Sequence, residues 1–148
     1  MMSSLSHIAT AKIGVSPDAA FEFLTDPIQL GRWSLGCLNT EQSSIPNVYK
    51  GRSLFDGSAA FFEIKSNRSS WGIVYHVGNE EKRIPRIAAQ VIPPEVCGLP
   101  EHQCLVSLIA WRTATMTVER WDRLCATHET EILLIRDQCE TAVGASMR

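Results

Sequence analysis

A chain of 148 residues with 45% apolar and 20% charged side chains has room for one folded domain, and this composition excludes disordered and collagen-like chains. Lys and Arg number 14 against 16 Asp and Glu, a formal net charge of −2, which argues against nucleic acid or an anionic membrane as partner. No apolar run is long enough to span a membrane, and Met1–Ser6 lacks the basic start and apolar stretch of a secretory signal, so a soluble, cytoplasmic protein is expected.

The chain opens on a strand-like stretch, Ser6–Val15. Ser16-Pro17-Asp18 then starts a helix: the serine caps, proline suits the first turn, and the carboxylate complements the helix dipole. Asp26-Pro27 repeats the signal, so a second short helix should run to Trp33.

From Cys37 to Arg112 short β-rich segments alternate with turn signals. Strands are expected at Cys37–Gln42, Tyr49–Phe55, Ala59–Ser66, Ser70–Val77, Arg86–Ile92 and Gln103–Arg112. Asp56-Gly57 and the turn at Asn67 are short enough for hairpins, which makes the sheet antiparallel. Gln103–Arg112 is apolar on both alternations, the pattern of a strand covered on both faces. A homodimer through the outer face of this strand is the expectation that follows.

The last third carries the strongest periodicity. Val118, Trp121, Cys125, His128, Ile132, Ile135, Cys139 and Ala142 form one stripe at spacings of 3 and 4, the signature of a long amphipathic helix with Gly144 as its stop. A coiled-coil seam shares this spacing, though Cys125 and His128 suit it poorly. Arg120, Arg123 and Glu131 are assigned to the polar faces. The cysteines, Cys37, Cys97, Cys104, Cys125 and Cys139, are odd in number and lack C-x-x-C spacing, so they read as reduced, packed thiols. No metal-ligand spacing or nucleophile elbow occurs, and no cofactor is implied.

This order of elements is α+β: a seven-stranded, curved antiparallel sheet around a long C-terminal helix, with two short helices after the first strand, in one domain spanning 1–148. A sheet curved around one helix leaves space between them, the general setting of a small-molecule site. Taking the inward choice at each strand and on the helix stripe gives a pocket wall of Trp33, Phe55, Phe62, Ile64, Trp71, Ile73, Tyr75, Trp121 and His128. Glu63, Lys65 and His76 fall on the opposite alternation, and His102 falls in a loop. Arg112 either pairs with an anionic ligand group or faces water.

The segment from Ile13 to Trp33, with Ser16-Pro17-Asp18, Phe21-Glu22-Phe23-Leu24 and Asp26-Pro27, resembles the opening of the START-related, birch-pollen-allergen-like helix-grip superfamily, also called SRPBCC, which includes bacterial polyketide cyclases and aromatases. The resemblance implies the helix-grip fold and a hydrophobic ligand pocket without naming a ligand or activity. Ser44–Gly51 holds one glycine, so the glycine-rich loop of the plant-allergen branch is missing.

Two functions follow. One is a carrier or sensor binding an apolar small molecule or lipid. The alternative is a polyketide cyclase/dehydratase-like enzyme in which a polar pocket residue such as His128 moves protons. A subunit whose main role is dimerisation, with an incidental cavity, is a third reading. His128 on the stripe reads equally as a packed histidine held in an apolar interface. Titratable groups converging on the pocket would favour the enzyme. An apolar wall with one polar anchor would favour the carrier.

Overall fold

A computed structural model describes residues 4–146. Strand β1 (Ser6–Ile13) leads into helices α1 (Pro17–Thr25) and α2 (Pro27–Trp33). Strands β2 (Leu38–Gln42), β3 (Tyr49–Arg52), β4 (Ala59–Asn67), β5 (Gly72–Gly78) and β6 (Arg83–Ile92) follow. A one-turn helix α3 (Pro94–Cys97), strand β7 (Cys104–Trp111) and the long helix α4 (Val118–Ser146) complete the order. The sheet runs β1-β7-β6-β5-β4-β3-β2, and every neighbouring pair is antiparallel. This is the seven-stranded α+β grip architecture.

The expected caps are in place. The Ala19 amide donates to Ser16 Oγ at 3.2 Å, and the Ile28 amide donates to Asp26 Oδ1 at 2.9 Å. Asp26 also ends α1, so one residue sets the angle between the two helices. Gly31 lets α2 lie against β2: a Cβ there would sit 2.4 Å from Thr40 Oγ1 and 2.5 Å from the Thr40 backbone nitrogen.

The core lies between the concave face and the helices. Ala9, Ile13, Phe62, Ile73, Tyr75, Ala89, Val91, Val106 and Leu108 meet Leu24, Ile132, Ile135 and Cys139 there. On α4 the stripe is buried from Trp121 through His128, Ile132 and Ile135 to Cys139, while Val118 at its start is half exposed. Three bonds fasten α4 at different heights. The Gly14 amide donates to Glu140 Oε2, Gln138 Nε2 donates to the Arg32 carbonyl, and the Leu35 amide donates to Glu131 Oε2.

Several expectations are corrected. Gly144 does not stop α4, which continues to Ser146; a helical glycine costs only about 1 kcal/mol and is tolerated. Strand β3 ends at Arg52 because Ser53–Ser58 forms a tight turn in which the Gly57 amide donates to the Ser53 carbonyl. Strand β5 begins at Gly72 because Trp71 has φ +58°, which takes its side chain out of the strand alternation. Within the single chain strand β7 buries one face, and its convex face is left for a second subunit or as an exposed patch. Cys104, Val106, Leu108 and Ala110 are fully enclosed, whereas Leu105, Ser107, Ile109 and Trp111 on the convex side remain partly exposed.

Candidate functional site

A cavity of about 550 Å³ lies between the concave face and the first half of α4, within the usual size range of small-molecule sites. It occupies one end of the sheet: the start of β4 (Ala59, Ala60, Phe62), the end of β5 (Tyr75, Val77, Gly78) and the early part of β6 (Arg86, Ile87). Helix α2 closes one side with Leu30 and Trp33, and α4 forms the roof. The other end of the sheet is filled by α1, where the Phe21 ring packs edge-on against Trp71 at 5.8 Å.

Five residues of the expected wall line this cavity: Trp33, Phe55, Phe62, Tyr75 and His128. Four do not. Ile64 and Ile73 have inward register, but they lie further along β4 and β5, where the core is solid. Trp71 leaves the strand and stacks on α1. Trp121 is buried one row behind the wall, packed with Met116 and Leu124, which do line the cavity. Glu63, Lys65 and His76 are not among the lining residues; the Glu63 carboxylate contacts Lys65 Nζ at 3.7 Å and Arg83 Nε at 3.5 Å. Arg112 donates to the Met116 carbonyl from Nη2 at 3.1 Å and so braces the loop that enters α4.

The inner wall is aromatic and anchored. Tyr75 donates its hydroxyl to the Leu24 carbonyl at 2.7 Å, and its ring meets Trp33 edge-on at 5.9 Å. Burial and the Glu131 carboxyl push the Tyr75 pKa upward, so it stays a phenol. The Cys37 thiol also lines the cavity, but burial pushes it up to about 12, which leaves it protonated and a poor nucleophile.

Four charged or titratable side chains in the cavity escaped the periodicity reading. Glu131 was assigned to a polar face, yet it is 4% exposed. The signal for it is local: Glu131 stands three residues after His128 and four before Ile135, both on the buried stripe. Arg120 and Arg123 lean from the first turns of α4 over the mouth, where the Arg123 guanidinium lies 4.7 Å above the Phe55 ring. Arg86 arrives by a β-bulge. Tyr75 pairs with Ile87 while His76 pairs with Pro85, so Arg86 is the extra residue and lines the cavity beside Ile87. Plain alternation from Ile87 would have sent it outward.

His128 and Glu131 form the polar centre of the roof. His128 Nε2 lies 3.7 Å from Glu131 Oε1, longer than a hydrogen bond. Burial lowers the His128 pKa to about 4, helped by His7 and Arg86, and burial raises Glu131 to about 8 against the pull of the Leu35 amide. A short ion pair would drive both shifts the other way. At this separation the attraction does not offset removing two charges from water, so near neutral pH both groups are uncharged. Neither ring nitrogen of His128 hydrogen-bonds to a described side chain or backbone group. His7 of β1 stands 6.3 Å away, ring to ring, and bonds to Glu129 at 2.9 Å. The site therefore sets a neutral acid beside a neutral imidazole, above an aromatic floor and behind an arginine-lined mouth. No group of three or more His, Cys, Asp or Glu side chains suited to a metal ion occurs among the described residues.

No family model and no curated protein matches this sequence. Solved structures do match. XoxI from Bacillus cereus aligns with a TM-score of 0.67 and 13% identity over 91% of this chain and 95% of its own. The Aha1 dimer from Colwellia psychrerythraea aligns at 0.66 and 16% identity, covering 93% of this chain and 97% of that one. The Zhui aromatase/cyclase from Streptomyces sp. R1128 aligns at 0.64 and 12% identity, covering 93% and 94%. At such identities the likeness is one of fold. The strand order, the paired helices after β1 and the long gripping helix, together with these likenesses, give the chain the helix-grip fold, which it shares with the Zhui aromatase/cyclase.

Proposed function

We propose that this chain binds an apolar small molecule or lipid in the cavity between sheet and helix, as a carrier or sensor. One observation carries the reading: a cavity of about 550 Å³, open at its mouth, ends on three almost fully buried aromatic rings, Trp33, Phe62 and Tyr75. Stacking on such walls favours a ring-bearing body over a long acyl chain. The five free thiols, three of them buried, support residence in a reducing compartment such as the cytoplasm, and no described helix is long and apolar enough to cross a membrane. The exposed Ile8, paired across the convex face with Ile109, supports a homodimer through β1 and β7. Native mass spectrometry of freshly purified protein tests the binding reading directly. A co-purified small molecule is expected, and bare protein that takes up no apolar compound from a mixed panel would overturn it.

A second reading, a cyclase/dehydratase-type enzyme, is favoured by the His128–Glu131 pair. Dehydration next to a carbonyl needs a base for the α-proton and an acid for the departing hydroxyl. Neutral His128 Nε2 would take the proton as the C–O bond breaks. Neutral Glu131 would protonate the hydroxyl, which leaves as water, and the proton on His128 would return to Glu131 across 3.7 Å. Incubating the co-purified compound with the protein separates the readings: the enzyme returns a product lighter by one water, and the carrier returns the compound unchanged.

A further inference from the structure

We propose that the ligand of this cavity carries an oxyanion group, a carboxylate, sulfonate or phosphate, held at the mouth by Arg86, Arg120 and Arg123 while its apolar body rests on the aromatic floor. The inference rests on the binding reading above and adds the chemical class of the ligand. Three arginines line one opening in a chain whose formal charge is −2. None of the three forms a salt bridge to a described residue, and the buried Nε of Arg86 has no hydrogen-bond partner. A half-buried arginine without a carboxylate is costly, so ordinary packing gives no reason for its place.

Among the described residues lining the mouth the carboxylate is Asp56, which feels the Arg123 charge and whose Oδ1 already accepts from the Ser58 amide at 2.9 Å and the Ser58 hydroxyl at 2.6 Å. With Glu131 neutral the balance is three positive charges against one negative. The Arg123 guanidinium carbon lies 4.7 Å from the centre of the Phe55 ring, and the bulge in β6 brings Arg86 to the cavity wall, so two of the three donors have a defined place at the site. Planar guanidinium groups match oxyanions in geometry as well as charge.

Two fluorescent probes share the same aromatic body: 1-anilinonaphthalene-8-sulfonate carries an anion and N-phenyl-1-naphthylamine does not. The natively folded protein is titrated with each, and folding of every variant is checked by near-UV circular dichroism. The sulfonate should bind roughly ten-fold more tightly, and added salt should narrow the gap. Arg86→Gln and, independently, the exposed Arg123→Gln should each weaken the sulfonate about ten-fold and the neutral probe far less. Should Arg86→Gln fail to fold, Arg123→Gln and the salt dependence of the parent decide. Equal affinity for the two probes, insensitive to salt and to these substitutions, would overturn anion selection while leaving cavity binding intact. Ala60→Phe, which takes up part of the cavity, should weaken both probes. Binding of neither probe to the parent would overturn the cavity reading and this inference with it.

Discussion

The imidazole of His128 and the carboxyl of Glu131 face each other at 3.7 Å, nearly one turn apart on the buried side of α4. Desolvation dominates both, so each resists the charge it would carry in water. Their responses to pH are opposite and separable.

Glu131 has a folded pKa raised to about 8 from 4.5. Its contribution is therefore fully present below about 4.5 and lost as pH rises toward 8, because over that range the unfolded chain gives up the proton that the folded state keeps. Glu131→Gln cannot ionise and keeps a carbonyl for the Leu35 amide. Urea unfolding should find the two proteins similar at pH 5 and the variant more stable at pH 9, by on the order of 3 kcal/mol. A variant weaker than the parent at pH 9 would mean that ionised Glu131 has a strong partner.

His128 has a folded pKa lowered to about 4 from 6.5, so the unfolded chain binds the proton more readily. The parent should lose stability as pH falls from about 6.5 to 4, and His128→Leu should escape that loss. The difference between the two proteins should shift by about 2 kcal/mol in favour of the variant between pH 7.5 and 4.5. The surrounding groups are His7 on β1, Arg86 on β6 and Glu131 on α4 itself. An NMR titration of the ring with a midpoint above 6.5 would overturn the neutral assignment.

Gly31 allows the contact between α2 and β2. In Gly31→Ala the new methyl would lie 2.5 Å from a backbone nitrogen of Thr40, which cannot turn away. A loss of about 2 kcal/mol is expected in chemical denaturation. Because α2 carries Trp33 into the cavity wall, the indole emission should shift as well. Unchanged stability and emission would show that α2 slides freely on β2.

Ile8 and Ile109 are cross-strand partners on the convex face, and Ile8 is 60% exposed. Sedimentation at tens of micromolar should give a dimer, and Ile109→Lys should give a folded monomer. A parent that sediments as a monomer removes the interface.

The fold was readable because its signals are local. Ser16 and Asp26 cap the helices that follow them, and the 3-4 stripe from Val118 to Ala142 marks the helix that the sheet grips. Inward register on β4 and β5 followed from alternation, which is why Phe62 and Tyr75 face the cavity. The position of the cavity along the sheet was not readable. It depends on where α1 stops filling the concave face, a tertiary fact that moves Ile64 and Ile73 into solid core without changing their face. The polar half of the site was hidden for other reasons. Glu131 looks like a surface charge by residue type, and Arg86 obeys no alternation at all.

The bulge at Arg86 has a consequence for how such a pocket can change. Along a regular strand, altering which side chain meets a ligand takes a substitution. Here one additional residue between Pro85 and Ile87 supplies a cation while the flanking residues keep their pairings. Removing that residue would restore plain alternation and withdraw the charge, with the apolar floor intact. The electrostatic character of this wall is thus encoded in the length of a strand, and two chains of nearly the same composition could present ligands with opposite preferences.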